Sequence, residues 1–295
     1  MELLPQALVD GIMLGAIYIA IAIAFSLVFG VMRVIDFAVG EWIMLGAFTG
    51  YYLNQWTKLE PFLLMPIVFA IFAGVGYLLQ PVIQRVLSGR RGSPMLMVVV
   101  FTFGLALMLR GLAQTVFGFY SHSISSCFSN GSYFFEFGSC ALTISTVRLA
   151  GLVYALAATV VLNFLLKRTD FGLSIRALAQ NKEAAALMGV NSKKTNQMLY
   201  GIYTGITAMT GVLIGVIISV SVKMGSEYSI FAFFVVVLAG MGYLAGVPAA
   251  AFLLGIIQAF FMVYLNPSYT LLAVFGMLYL ILVISPTGMF GKGWG

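Results

Sequence analysis

Apolar runs of about 18 residues or more recur along this 295-residue chain, and a run of that length with few charges is long enough to cross a bilayer as a helix. That feature removes most folds from consideration. In lipid only helices and closed barrels satisfy every backbone polar group, and these runs have the length of helices. With 62% hydrophobic and 8% charged residues, against roughly 25% charged in a soluble domain, the chain is expected to be an all-α, polytopic transmembrane helix bundle. One membrane domain is expected over 1–295. Spans are predicted at about 6–31, 36–55, 61–83, 94–117, 148–166, 197–221, 228–245, 248–265 and 268–285. Nine spans fit. So do eight plus one broken or re-entrant element around 36–50 or 228–250.

The net charge of +6 reads as topology. Of fifteen Lys and Arg, nine lie in two loops: Arg85, Arg90 and Arg91, then Lys167, Arg168, Arg176, Lys182, Lys193 and Lys194. Basic loops stay cytoplasmic. This places the N-terminus and the 118–147 loop outside and Lys292 inside. No basic stripe is interleaved with exposed aromatics, which excludes nucleic acid as a partner. The N-terminal MELLPQALVDG lacks the positive region of a signal peptide. A lone histidine, His122, and two cysteines leave no Cys/His metal site. His122, in a polar loop, is expected to be a solvated surface residue. The phosphate-binding pattern G-x-x-x-x-G-K-[ST] does not occur, so ATP hydrolysis must reside on another polypeptide. No nucleophile with a partner base is evident either, and an enzyme is not expected.

Residues 167–196 form the longest strongly charged stretch. Within it Asn181 can cap a short helix, Glu183 sits in the first turn, and Gly189 can end it in a left-handed conformation. Ala184, Leu187 and Met188 share a face, and Ala185 lies beside them. Such a helix gives a cytosolic subunit something to grip.

Asp36 and Glu41 sit in the apolar segment VIDFAVGEWIMLGAFTG, beside Gly40. Acids in a span face the bundle interior or water. One reading is a broken element lining a pathway or a subunit interface. The other pairs Asp36 with Arg33 at the cytoplasmic edge and makes Glu41 a packing residue. Arg110 lies about 24 Å along its span and Glu41 about 10 Å along its own. A direct pair is therefore not expected unless one element is broken, and Arg110 is expected to snorkel outward. In the outer loop, Asn130–Gly131 signals a hairpin. In an oxidising periplasm Cys127 and Cys140 would form a disulfide; two free thiols are the alternative. Glycines recur four apart, at Gly11/Gly15, Gly46/Gly50, Gly201/Gly205, Gly211/Gly215 and Gly242/Gly246, a spacing that lets helices approach closely.

Four stretches resemble the integral-membrane permeases of bacterial ABC importers for branched-chain amino acids. They are GIMLGAIYIAIAIAFSLVFGV, IDFAVGEWIMLGAF, RTDFGLSIRALAQNKEAAALMGVN, and VVVLAGMGYLAGVPAAAFLLG with the terminal SPTGMFG. The third is similar to the family's ATPase-coupling loop. The resemblance implies a multi-pass protein of the bacterial inner membrane that itself binds no cofactor. It would work with a second permease, identical or homologous, two cytosolic ATPases that hold ATP and magnesium, and a periplasmic substrate-binding protein. Asp36 and Val39 stand where the family has Asn and His, and with Gly40 they are similar to a stretch of related sugar permeases. Urea, short amides, other amino acids and sugars stay open as substrates. So does a stand-alone transporter with Asp36 and Glu41 as proton carriers.

Overall fold

The structure, a computed structural model, describes residues 3–87, 94–126, 131–137, 140–265 and 269–290. The elements are α1 (Leu3–Met32), α2 (Val39–Thr57), α3 (Pro61–Leu87), α4 (Pro94–Phe117), β1 (Ser132–Phe137), β2 (Cys140–Ser145), α5 (Thr146–Arg168), α6 (Asp170–Gln180), α7 (Lys182–Leu187), α8 (Ser192–Ile217), α9 (Met224–Ala239), α10 (Val247–Tyr264) and α11 (Thr270–Ile284). Among the described residues, six helices are long and apolar enough to cross a membrane: α1, α3, α4, α5, α8 and α10. The apolar α9 and α11 are shorter.

Burial sorts these helices into layers. α1 and α8 are mostly enclosed, whereas α3, α4 and α5 turn apolar side chains such as Leu78, Val100 and Val160 outward. Outward apolar residues suit lipid, so close approach inside the bundle falls to small residues. Four of the five predicted glycine pairs sit at contacts. A Cβ on Gly11 would lie 2.6 Å from the Ile256 backbone on α10, and one on Gly46 would lie 2.1 Å from the Ala208 carbonyl on α8. Gly201 and Gly205 meet α3, and Gly211 meets Ile43 of α2. The fifth pair differs. Gly242 has φ +88° and belongs, with Gly240 at +91°, to the turn that ends α9 earlier than expected.

Two shorter helices, α2 and α9, each follow a partly buried segment without helical structure: 33–38 before α2, where Val34, Asp36 and Ala38 are buried, and 218–223 before α9, where Val220 and Val222 are buried. Such backbone survives at membrane depth only inside protein and only if its polar groups find partners. In 33–38, Thr102 of α4 donates to the Ile35 carbonyl at 3.1 Å and accepts from the Phe37 N–H at 3.4 Å. Ser229 of α9 accepts from the Gly40 N–H at 2.9 Å. In 218–223, Val220 exchanges backbone hydrogen bonds with His122 at 2.7 and 2.8 Å. His122 is therefore not a solvated surface residue. Its ring stacks on Tyr51, with centroids 4.6 Å apart, and its arm folds down over α8.

The two faces of the bundle are marked by what they hold. On one, Gln6 of α1 binds Thr143 of β2, and Asp10 pairs with Arg148. On the other, the end of α1 meets α6 and α7 around Val31, Arg33, Gln180 and Asn181. The N-terminus thus shares a face with the hairpin, opposite the charged 167–196 region. The hairpin itself corrects an expectation: β1 and β2 pair antiparallel from Ser132–Ser145 to Phe137–Cys140, and Gly131 precedes β1 instead of separating the strands. Cys127 lies outside the described residues, and so does the proposed Cys127–Cys140 bond.

Candidate functional site

The predicted charged groups of the 34–50 segment come together at the break. Asp36 is 1% exposed and its carboxylate accepts four hydrogen bonds. Tyr200 and Tyr203 of α8 donate at 2.7 and 3.0 Å, the Ala38 N–H at 2.8 Å and the Trp42 indole at 3.4 Å. It does not pair with Arg33, which stands at the end of α1 in a left-handed conformation with φ +52°. A buried carboxylate with this many donors clamps the non-helical segment onto α8.

Glu41 is fully buried in the first turn of α2, where the helix N-terminus favours an anion. Arg110 of α4 forms an ion pair with it, its Nε donating to Glu41 Oε1 at 3.0 Å and its Nη2 to the same oxygen. The expectation that Arg110 snorkels outward is overturned. Arg110 stays at its predicted depth; Glu41 lies deeper than expected. Segment 33–38 is not helical, with Arg33 left-handed and a turn at 37–38, so counting helical rise from residue 36 does not give the position of Glu41, which stands in the first turn of a helix that starts only at Val39. The other carboxylate oxygen of Glu41 accepts no hydrogen bond and lies against Gly225 of α9, where a Cβ would sit 2.4 Å from it. Gly40 has the same role from the other side: its Cβ would lie 1.7 Å from the Gly225 carbonyl. Gly40 thus permits contact; the break itself precedes it.

These contacts run antiparallel, Gly40 beside Gly225 and Phe37 beside Phe233. From Glu41 to the end of α2 is about 24 Å, and from Gly225 to the end of α9 about 21 Å in the opposite direction. The two helix starts therefore meet near the middle of the bilayer, and Arg110 joins them there. A cavity of about 240 Å³ opens beside them, lined by Asp36, Phe37, Ser229, Phe233 and Phe275 among others. Lys223, just before α9, and Glu227, in its first turn, are exposed.

At the charged face, α7 is as expected. The Asn181 side chain accepts from the Glu183 and Ala184 N–H groups at 2.9 and 3.0 Å, and Gly189 has φ +86°. Leu187 and Met188 are 88% and 86% exposed, and Ala184 is exposed with them. Ala185 instead faces inward at 4%. α6 was not foreseen. Its signal was present: Thr169 caps it by accepting from the Gly172 N–H at 3.0 Å, and Gly172, Ile175, Leu178 and Ala179 recur at helical spacing on its buried side.

A family model described as branched-chain amino acid transport system / permease component matches residues 7–282. The chain is 28% identical over 296 residues to the high-affinity branched-chain amino acid transport system permease protein BraD of Pseudomonas aeruginosa, covering 97% of this chain and 95% of the relative. It is 25% identical over 298 residues to the corresponding permease LivH of Escherichia coli, and 24% to that of Salmonella typhimurium, with the same coverage of each. No solved structure matches the chain. With nearly its whole length matched, the chain belongs to the branched-chain amino acid transport system permease family.

Proposed function

We propose that this chain is the permease subunit of an ATP-driven importer for branched-chain amino acids in a bacterial cytoplasmic membrane. Separate cytosolic ATPases hold ATP and magnesium, a periplasmic protein delivers the ligand, and a second permease, identical or homologous, completes the pathway. The observation that carries this reading is α7. A capped helix on the basic, cytoplasmic face projects Leu187 and Met188 into the open, where two large apolar groups side by side suit the groove of a partner. Closure of the ATPases on ATP would push on α7 and α6 and so reach the end of α1. Named relatives favour amino acids over sugars, whatever Asp36 and Val39 suggest.

The pathway in this reading follows the exposed side of α9. Lys223 and Glu227 lie near mid-membrane depth and are exposed, and ionisable groups there face water or a partner subunit, not lipid. Asp36 and Glu41 do not line that route as proton carriers. Both are enclosed and serve to fix the start of α2 beside it.

The test is co-purification. Leu187→Glu with Met188→Glu should lower ATPase retention by about thirtyfold, the loss expected when an apolar contact centre is charged. The permease should still insert, because its spans are untouched. Full retention with normal uptake would remove α7 as the coupling element.

A further inference from the structure

A second cavity, of about 520 Å³, lies on the charged face between α1, α5, α6 and the 242–248 turn. Its wall is apolar over most of its depth, formed by Ile23, Leu27, Val31, Leu162 and Leu166. Along α5 it runs from Thr159 to Lys167, about 12 Å. At its end stand two cations, Lys167 and Arg176. Both are exposed, and among the described residues neither forms a hydrogen bond or an ion pair.

This is an asymmetric site: a hydrocarbon-lined slot with positive charge only at the end nearest the cytoplasm. The amino-acid pathway does not explain it, since it lies beside α5 and not beside Glu227. A free anion would use the charges and leave the slot empty. An apolar solute would use the slot and not the charges. A lipid with an anionic headgroup uses both, and basic pockets between helices on the cytoplasmic side are where such headgroups bind. Lysine and arginine at the end of a span also reach the phosphate level by snorkelling.

We propose that this cavity holds one anionic phospholipid of the cytoplasmic leaflet, of the phosphatidylglycerol type. Its phosphate lies between Lys167 and Arg176 and one acyl chain lies along α1 and α5. Because Lys167 is on α5 and Arg176 on α6, the lipid ties the coupling region to the end of a membrane span.

The full-length permease is placed in nanodiscs of phosphatidylcholine alone or with phosphatidylglycerol. Thermal unfolding and lipid retained through native mass spectrometry are measured. Phosphatidylglycerol should raise the unfolding midpoint and remain bound. Lys167→Gln with Arg176→Gln should weaken its retention by about thirtyfold, since two phosphate-facing cations are removed. Ala245→Trp, which fills the slot, should also reduce retention with both cations in place. Inorganic phosphate added to phosphatidylcholine discs should not reproduce the shift. Equal stability in the two lipids, unchanged retention in the double variant, or a full shift from phosphate alone would overturn the proposal.

Discussion

Arg110→Ala should destabilise the permease by about 3 kcal/mol, because it strands the buried Glu41 carboxylate near mid-membrane without its cation. Losses of this kind range to about 5 kcal/mol. The lower figure applies because the Arg110 side chain is 30% exposed and retains some water. Removing both charges is a different matter. Glu41→Met with Arg110→Leu should recover most of the loss, since apolar pairs of similar volume replace buried ion pairs at little cost. The double variant therefore should not show the sum of the two single losses. Unfolding of the wild type, Glu41→Met, Arg110→Leu and the double variant in one detergent measures this cycle. Additive losses would mean that the two groups act separately and that the α2–α4 junction rests on something else.

Asp36→Ala should be at least as severe. It leaves the Tyr200 and Tyr203 hydroxyls, the Trp42 indole and the Ala38 N–H without their shared acceptor. Each buried donor left unpaired costs about 1–3 kcal/mol. A total of about 4 kcal/mol follows if one or two find water. Asp36→Asn keeps one oxygen and should lose about half as much, because the tyrosine hydroxyls can turn to accept from the new amide. Tyr200→Phe removes a single donor and should cost about 1 kcal/mol. The order of the three variants in thermal unfolding checks the clamp. A neutral Asp36→Ala would show that segment 33–38 holds its shape without it.

What the sequence revealed and what it hid divides along physical lines. Hydropathy located α4 and α10 almost to the residue, because their ends coincide with Pro94 and Pro248 and with polar loops. Glycine spacing found most of the close contacts, since small residues are the means by which membrane helices meet. The cap at Asn181 is local chemistry and was legible in full. The breaks at 33–38 and 218–223 were legible only as an alternative, a broken or re-entrant element around 36–50 or 228–250, because hydropathy weighs apolar content and is blind to backbone conformation. That blindness misplaced Glu41 in depth and hid its pairing with Arg110. Tyr200 and Tyr203 were missed for a related reason: aromatic residues on a buried helix carry no mark of polar function until the acid they serve is located. The hairpin signal at Asn130–Gly131 did not mark the join of the strands, because Gly131 precedes β1 and the paired residues run from Ser132–Ser145 to Phe137–Cys140.

On the proposed function, this chain conducts branched-chain amino acids under the control of a separate ATPase. The most direct measurement is uptake of labelled isoleucine into proteoliposomes holding this permease with its companion permease, ATPase and binding-protein subunits. The expected result is accumulation that requires ATP and the binding protein, that unlabelled leucine and valine compete away, and that survives a protonophore. Isoleucine accumulation by this chain alone, driven by a proton gradient and indifferent to ATP, would contradict it.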